Sequence, residues 1–137
     1  MTNKARVFVV DDEHIIADTF AMILNRSGFD AVALYNGPDA IALCRRKSCD
    51  VLLTDVMMEP INGIQTAIAI REICPTCKVL LFSGNPETAR LLFESQAAGY
   101  DFEILAKPLH PSKVIDGQPP CWPNDSYNSP FGVTHQE

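Results

Sequence analysis

A chain of 137 residues with 47% hydrophobic content and a formal net charge of −6 has room for one domain with a real core and little more. The acidic balance disfavours a nucleic-acid-binding surface, which needs a basic patch to displace counterions. No apolar run approaches the roughly 20 residues of a membrane span, so neither direct nucleic-acid binding nor membrane insertion is expected.

The N-terminus leads straight into a short strand without the profile of a secretory signal, and the expected location is cytoplasmic. Arg6 to Val10 reads as a first strand, apolar on both faces as parallel strands are. Asp11 and Asp12 end it, and Glu13 adds a third carboxylate. Ile16, Phe20, Ile23 and Leu24 predict a helix over 14–27, stopped at Gly28. Ala31 to Tyr35 is a second strand. Asn36-Gly-Pro-Asp39 is helix-start chemistry for a short helix over 40–47. Val51 to Thr54 forms the third strand and delivers Asp55. Pro60 and Gly63 mark a loop, and Asn62 is placed to cap a third helix that reaches Ile73 and stops at Pro75. Lys78 to Phe82 is a fourth strand, followed by the loop Ser83-Gly-Asn-Pro86, a fourth helix over 87–98, and a fifth strand from Phe102 to Ala106. A fifth helix begins near Pro111, but Gly117-Gln-Pro-Pro forbids its continuation. Residues 1–116 are therefore expected to form one domain and 117–137 an irregular, disordered tail.

Five cysteines are scattered along the chain, and without an export signal reduced thiols are expected. Cys74-Pro-Thr-Cys77 is a C-x-x-C pair that follows a helix and precedes a strand. A redox pair favours the reverse order, where a helix N-terminus lowers the thiol pKa. A zinc site needs two further ligands, and there is no second C-x-x-C and no paired histidine. The pair is expected to be a coincidence of loop sequence.

Helix and strand alternate with short links, the pattern of a parallel sheet covered on both faces. In a doubly wound order 2-1-3-4-5 the first and third strands are neighbours, and Asp11, Asp12 and Asp55 meet at their carboxyl ends. Three close carboxylates repel one another unless a cation sits among them, and an all-oxygen donor set suits Mg²⁺. Ser83 adds a hydroxyl and Lys107 a fixed positive charge. Such a group is suited to stabilising a phosphoryl group carried on Asp55.

Val10-Asp-Asp-Glu13, Thr54-Asp55, Asn62-Gly63, Ser83-Gly84 and Lys107-Pro108 together resemble the ordered signature of two-component response regulator receiver domains. The resemblance covers about residues 5–116 and implies a flavodoxin-like doubly wound five-stranded parallel sheet, here with a truncated or irregular fifth helix. It implies Asp55 as phosphoacceptor, Asp12 as direct metal ligand, Asp11 as a ligand through water, and the Met57 backbone carbonyl as a further ligand to Mg²⁺. It implies Ser83 as the switch hydroxyl, Lys107 as the phosphate counter-ion, and a cis bond between Lys107 and Pro108. The partners implied are a sensor histidine kinase or phosphotransfer protein and a downstream protein reached by contact, with homodimerisation open. The domain would catalyse only its own phosphorylation and dephosphorylation.

Three positions depart from the family pattern. Glu59 stands where the family usually has proline, Ile104 stands where an aromatic switch residue is common, and the fifth helix is short. Two other readings follow. One is an Asp-nucleophile, Mg²⁺-dependent phosphatase, against which Met57 stands where the second aspartate of such enzymes belongs. The other is an interaction module that no longer signals by phosphorylation.

Overall fold

The computed structural model describes residues 4–83, 99–100 and 102–106. Five strands form one parallel sheet in the order β2-β1-β3-β4-β5. They are β1 (Arg6–Val10), β2 (Asp30–Leu34), β3 (Val51–Asp55), β4 (Lys78–Ser83) and β5 (Glu103–Ala106). The helices among the described residues are α1 (His14–Arg26), α2 (Gly37–Arg46) and α3 (Gly63–Ile73). The expected fourth and fifth helices, Lys107-Pro108 and the tail lie outside the described residues.

Alternation along the strands divides the core in two. Val7, Val9, Val51, Leu53, Leu80 and Phe82 pack with Ala17, Phe20, Ala21 and Leu24 of α1. Their strand neighbours Phe8, Val10, Leu52, Val79 and Leu81 pack with Ala40 and Cys44 of α2 and Ile64, Ala67 and Ile70 of α3. Every side chain of β3 is buried, which is why its sequence runs apolar without a break until Thr54 and Asp55. Burying each large aliphatic side chain contributes about 1.5–3 kcal/mol relative to leaving it in water.

Element boundaries follow local hydrogen bonding more closely than periodicity. α2 begins at Gly37, three residues before the expected start, because the Asn36 side chain accepts from the Asp39 N–H at 2.8 Å. Pro38 is tolerated in that first turn, where a missing N–H leaves no bond unmade. α1 ends at Arg26 with Ser27 as its C-cap, and Gly28 takes the left-handed conformation at φ 101 that the sequence suggested for a stop. β2 starts one residue early, at Asp30, whose N–H donates to the Ala5 carbonyl at 2.9 Å. Asn25 then brackets Ala31, accepting from its N–H and donating to its carbonyl. Asn62 caps α3 as expected, in a reciprocal box with Gln65.

Gly63 is the point where α3 meets the end of β3. Its N–H donates to the Val56 carbonyl at 2.7 Å. A Cβ there would stand 2.0 Å from the Asp55 carbonyl oxygen and 2.9 Å from Val56 Cα, and backbone cannot yield as a flexible side chain can. Gly63→Ala is therefore expected to lower stability by roughly 1–3 kcal/mol, the range of overpacked cores. Urea unfolding of the two proteins measures it.

Candidate functional site

Register sets the site. β1 and β3 pair from Val7↔Val51 to Val10↔Thr54, so the residues after both strand ends reach the same edge of the sheet. Asp55 remains a strand residue, paired with Phe82, and the following Val56 N–H donates to the Phe82 carbonyl at 3.1 Å. This extends β3 one residue beyond the expected Thr54. The Thr54 hydroxyl, buried, donates to the Asp55 carbonyl at 3.0 Å and helps fix the backbone that carries the carboxylate.

Asp11 is held from two sides. Its backbone N–H donates to the Leu34 carbonyl at 3.0 Å, and its Oδ1 accepts the Glu13 N–H at 2.9 Å. Asp11 and Asp55 are buried, whereas Asp12 is exposed. Each of the three offers a carboxylate oxygen, and these oxygens lie within 4.8 Å of one another. Two buried carboxylates beside a third favour a cation strongly, and hard oxygen donors with one exposed member fit a hydrated Mg²⁺.

The other expected site residues are distributed as follows. Met57 is exposed in the loop after β3, while Met58 is buried in the core beside α3. Ser83 ends β4, and its backbone pairs with Ala106, so the residue after that pair in β5 is Lys107. Lys107 itself lies outside the described residues, as does the cis bond expected with Pro108. A cis peptide does occur, between Glu59 and Pro60, in the segment that departs from the family pattern. His14 is exposed and stacks on Tyr35 at 3.9 Å between ring centroids. Tyr35 in turn donates to Asp18 at 2.5 Å, which raises the phenol pKa above its ordinary value.

One grouping was not legible as a site in the sequence. Cys74 and Cys77 do lie between α3 and β4, but they stand beside Cys44 and Cys49. The four residues separating Cys44 from Cys49 were the available signal.

A parallel sheet with an acidic cluster outside the carboxyl end of its central strands defines a class of doubly wound domains whose ligands sit at that edge. The model of the response regulator receiver domain matches residues 7–117 of this chain. The transcriptional regulatory protein ResD of Bacillus subtilis is 32% identical over 114 residues, covering 83% of this chain and 46% of ResD. The chain thus spans about half the length of the curated relatives it matches. A CheY-like receiver domain protein from Methanospirillum hungatei shares the fold with a TM-score of 0.74 at 21% identity, over 83% of this chain and 90% of that one. A response regulator from Burkholderia pseudomallei, solved with a phosphorylated aspartic acid, calcium ion and citrate, gives 0.71 at 20% identity, over 82% of this chain and 65% of that one. The chain belongs to the response regulator receiver domain family of two-component systems.

The acidic cluster makes a direct expectation. A Mg²⁺ concentration ten times its dissociation constant should stabilise the folded chain by about 1.4 kcal/mol. Asp12→Asn removes an accessible donor without opening the core, and should weaken Mg²⁺ binding about tenfold or more. Thermal unfolding with and without Mg²⁺ reads both effects; an equal Mg²⁺ response in the two proteins would place the ion elsewhere.

Proposed function

We propose that this receiver domain accepts a phosphoryl group on Asp55 from a phosphohistidine of a sensor histidine kinase or phosphotransfer protein. The observation that carries the reading is the convergence of Asp11, Asp12 and Asp55 at the end of β1 and β3. A carboxylate oxygen of Asp55 attacks phosphorus, the phosphorus–nitrogen bond breaks, and the imidazole leaves, taking up a proton. Asp55 then carries an acyl phosphate that water later hydrolyses. Mg²⁺ bound at the cluster would supply charge neutralisation for the transferring group. Asp12 and Asp55 would hold it directly, Asp11 through water, with the Met57 backbone carbonyl as a further ligand.

The remaining roles rest on strand order. Ser83, at the end of β4, is assigned as the switch hydroxyl, and Lys107, after β5, as the counter-ion to the phosphoryl group. Moving charge onto Asp55 biases a two-state surface near β4 and β5, through which a downstream protein is contacted. The phosphorylated Burkholderia pseudomallei neighbour supports the same chemistry on this fold. The reading implies action in the cytoplasm, consistent with no described helix being long and apolar enough to cross a membrane. Residues 1–116 are assigned to this domain and 117–137 to a tail.

A phosphatase is disfavoured by Met57, which offers no acid–base group two residues after the nucleophile. Incubation with acetyl phosphate and Mg²⁺ should add one phosphoryl group to the intact mass, and Asp55→Asn should abolish the addition. Sustained release from p-nitrophenyl phosphate would instead identify a hydrolase, and the absence of any mass gain would leave an interaction module.

A further inference from the structure

At the end of the sheet opposite the aspartates, four thiols are brought into two pairs. Cys44 lies in the last turn of α2, and Cys49 lies just before β3. Cys74 caps the C-terminus of α3, and Cys77 lies just before β4. β3 and β4 are neighbours, paired from Val51↔Lys78, so the two helix-to-strand links run side by side. Cys44 Sγ stands 3.7 Å from Cys74 Sγ, and Cys49 Sγ stands 3.2 Å from Cys77 Sγ. Each of these contacts joins one link to the other, and neither lies within the C-x-x-C sequence itself.

The two pairs differ in their access to solvent. Cys49 and Cys77 are both buried. Contact with Cys77, and burial after it, push Cys49 above the ordinary thiol range, so that sulfur keeps its proton. The thiolate is the nucleophile in cysteine chemistry, and a buried protonated pair is inert. Cys44 is buried too, but Cys74 is half-buried and is followed by the exposed Pro75 and Thr76. An oxidant in solvent therefore reaches Cys74 first. In the 3.7 Å contact Cys44 is the donor and Cys74 the acceptor. Burial, and after it the bond to Cys74, push Cys44 up to about 11, so Cys44 is the member that holds its proton.

We propose that Cys44 and Cys74 form an oxidant-responsive thiol pair, a modification site at which hydrogen peroxide links the end of α2 to the end of α3. The Cys74 thiol gives its proton to water, and the thiolate attacks one peroxide oxygen. The oxygen–oxygen bond breaks, and the departing hydroxide takes up a proton to become water. Cys74 is then a sulfenic acid. The Cys44 sulfur attacks the Cys74 sulfur, the sulfur–oxygen bond breaks, and the hydroxyl leaves with the Cys44 proton as a second water. The two sulfurs together lose two electrons, and the peroxide gains them. A disulfide needs its sulfurs about 2.05 Å apart, so the pair closes by about 1.7 Å. Cys74 has already left helical geometry, at φ -123 and ψ 87, and its movement does not require unwinding α3. The bond would close a loop that contains β3 and α3 and would tie together two helices that share one layer of the core. Disulfides of reducing compartments are characteristically transient and redox-sensing, the use that a pair with one half-exposed member fits.

Mass spectrometry tests the pair independently of the aspartates. The full chain, reduced and then freed of reductant, is treated with one equivalent of hydrogen peroxide. Its intact mass should fall by two hydrogens, a non-reducing peptide map should find Cys44 joined to Cys74, and dithiothreitol should restore the starting mass. The same link should form in Asp55→Asn and in Cys121→Ser. Cys74→Ser should abolish it. Cys44→Ser should stop the reaction one step earlier and leave Cys74 as a sulfenic acid, one oxygen heavier and captured by dimedone. The peptide map of the unaltered chain decides the matter even where a variant fails to fold. A chain that keeps all its hydrogens would overturn the proposal. So would a link found instead between Cys49 and Cys77, between Cys74 and Cys77, or at Cys121.

Discussion

Electrostatic repulsion among Asp11, Asp12 and Asp55 is the constraint to which the rest of the fold answers. Their oxygens lie within 4.8 Å of one another, and two of the three residues are buried. Left to itself, such a group drives its members apart or takes up protons. What holds it is backbone: the β1–β3 pairing, the Leu34 carbonyl that accepts from Asp11, and the Phe82 carbonyl that accepts from Val56. Those bonds are in turn fixed by apolar side chains packed on both faces of the sheet. Stability from the core is thus used to keep negative charge where a cation would relieve it.

The same layout makes the molecule polar from end to end. The carboxyl edge of the sheet gathers hard oxygen donors, and the opposite edge gathers soft sulfur donors. Parallel strands produce this separation, since every strand starts at one edge and finishes at the other. α3 connects the two ends: its N-terminus abuts Asp55 through Gly63, and its C-terminus is capped by Cys74. The loop after β3 therefore leads into a helix whose far end bears one of the four thiols.

Two departures from the family pattern lie outside the acidic cluster. Glu59 and Pro60 are exposed in the loop after β3, and the peptide between them is cis. Near β5, Phe102 is buried, stacks with Tyr100 at 5.5 Å, and lies under the Arg71 guanidinium at 5.3 Å. These aromatic rings lie before Ile104, so aromatic packing in this region is supplied from a different position in the chain.

By itself the sequence determined the strand order class, the order of the chemistry and the position of Asp55. Apolar runs ending in charged residues are readable without coordinates, because burial on both faces forces an unbroken hydrophobic stretch. The caps at Asn62 and Gly28 were readable for the same local reason, a side chain or a glycine meeting backbone groups within a few residues. Helix α2 was misjudged at its start because Asn36 and Pro38 make a helical first turn whose periodicity is polar. Met57 and Met58 look alike in the sequence, yet only Met58 enters the core. The cysteine cluster was decided wholly by tertiary structure. Cys44 and Cys74 are thirty residues apart, and no local pattern brings them together. Lateral pairing of β3 with β4 does, by laying the two links that precede them side by side.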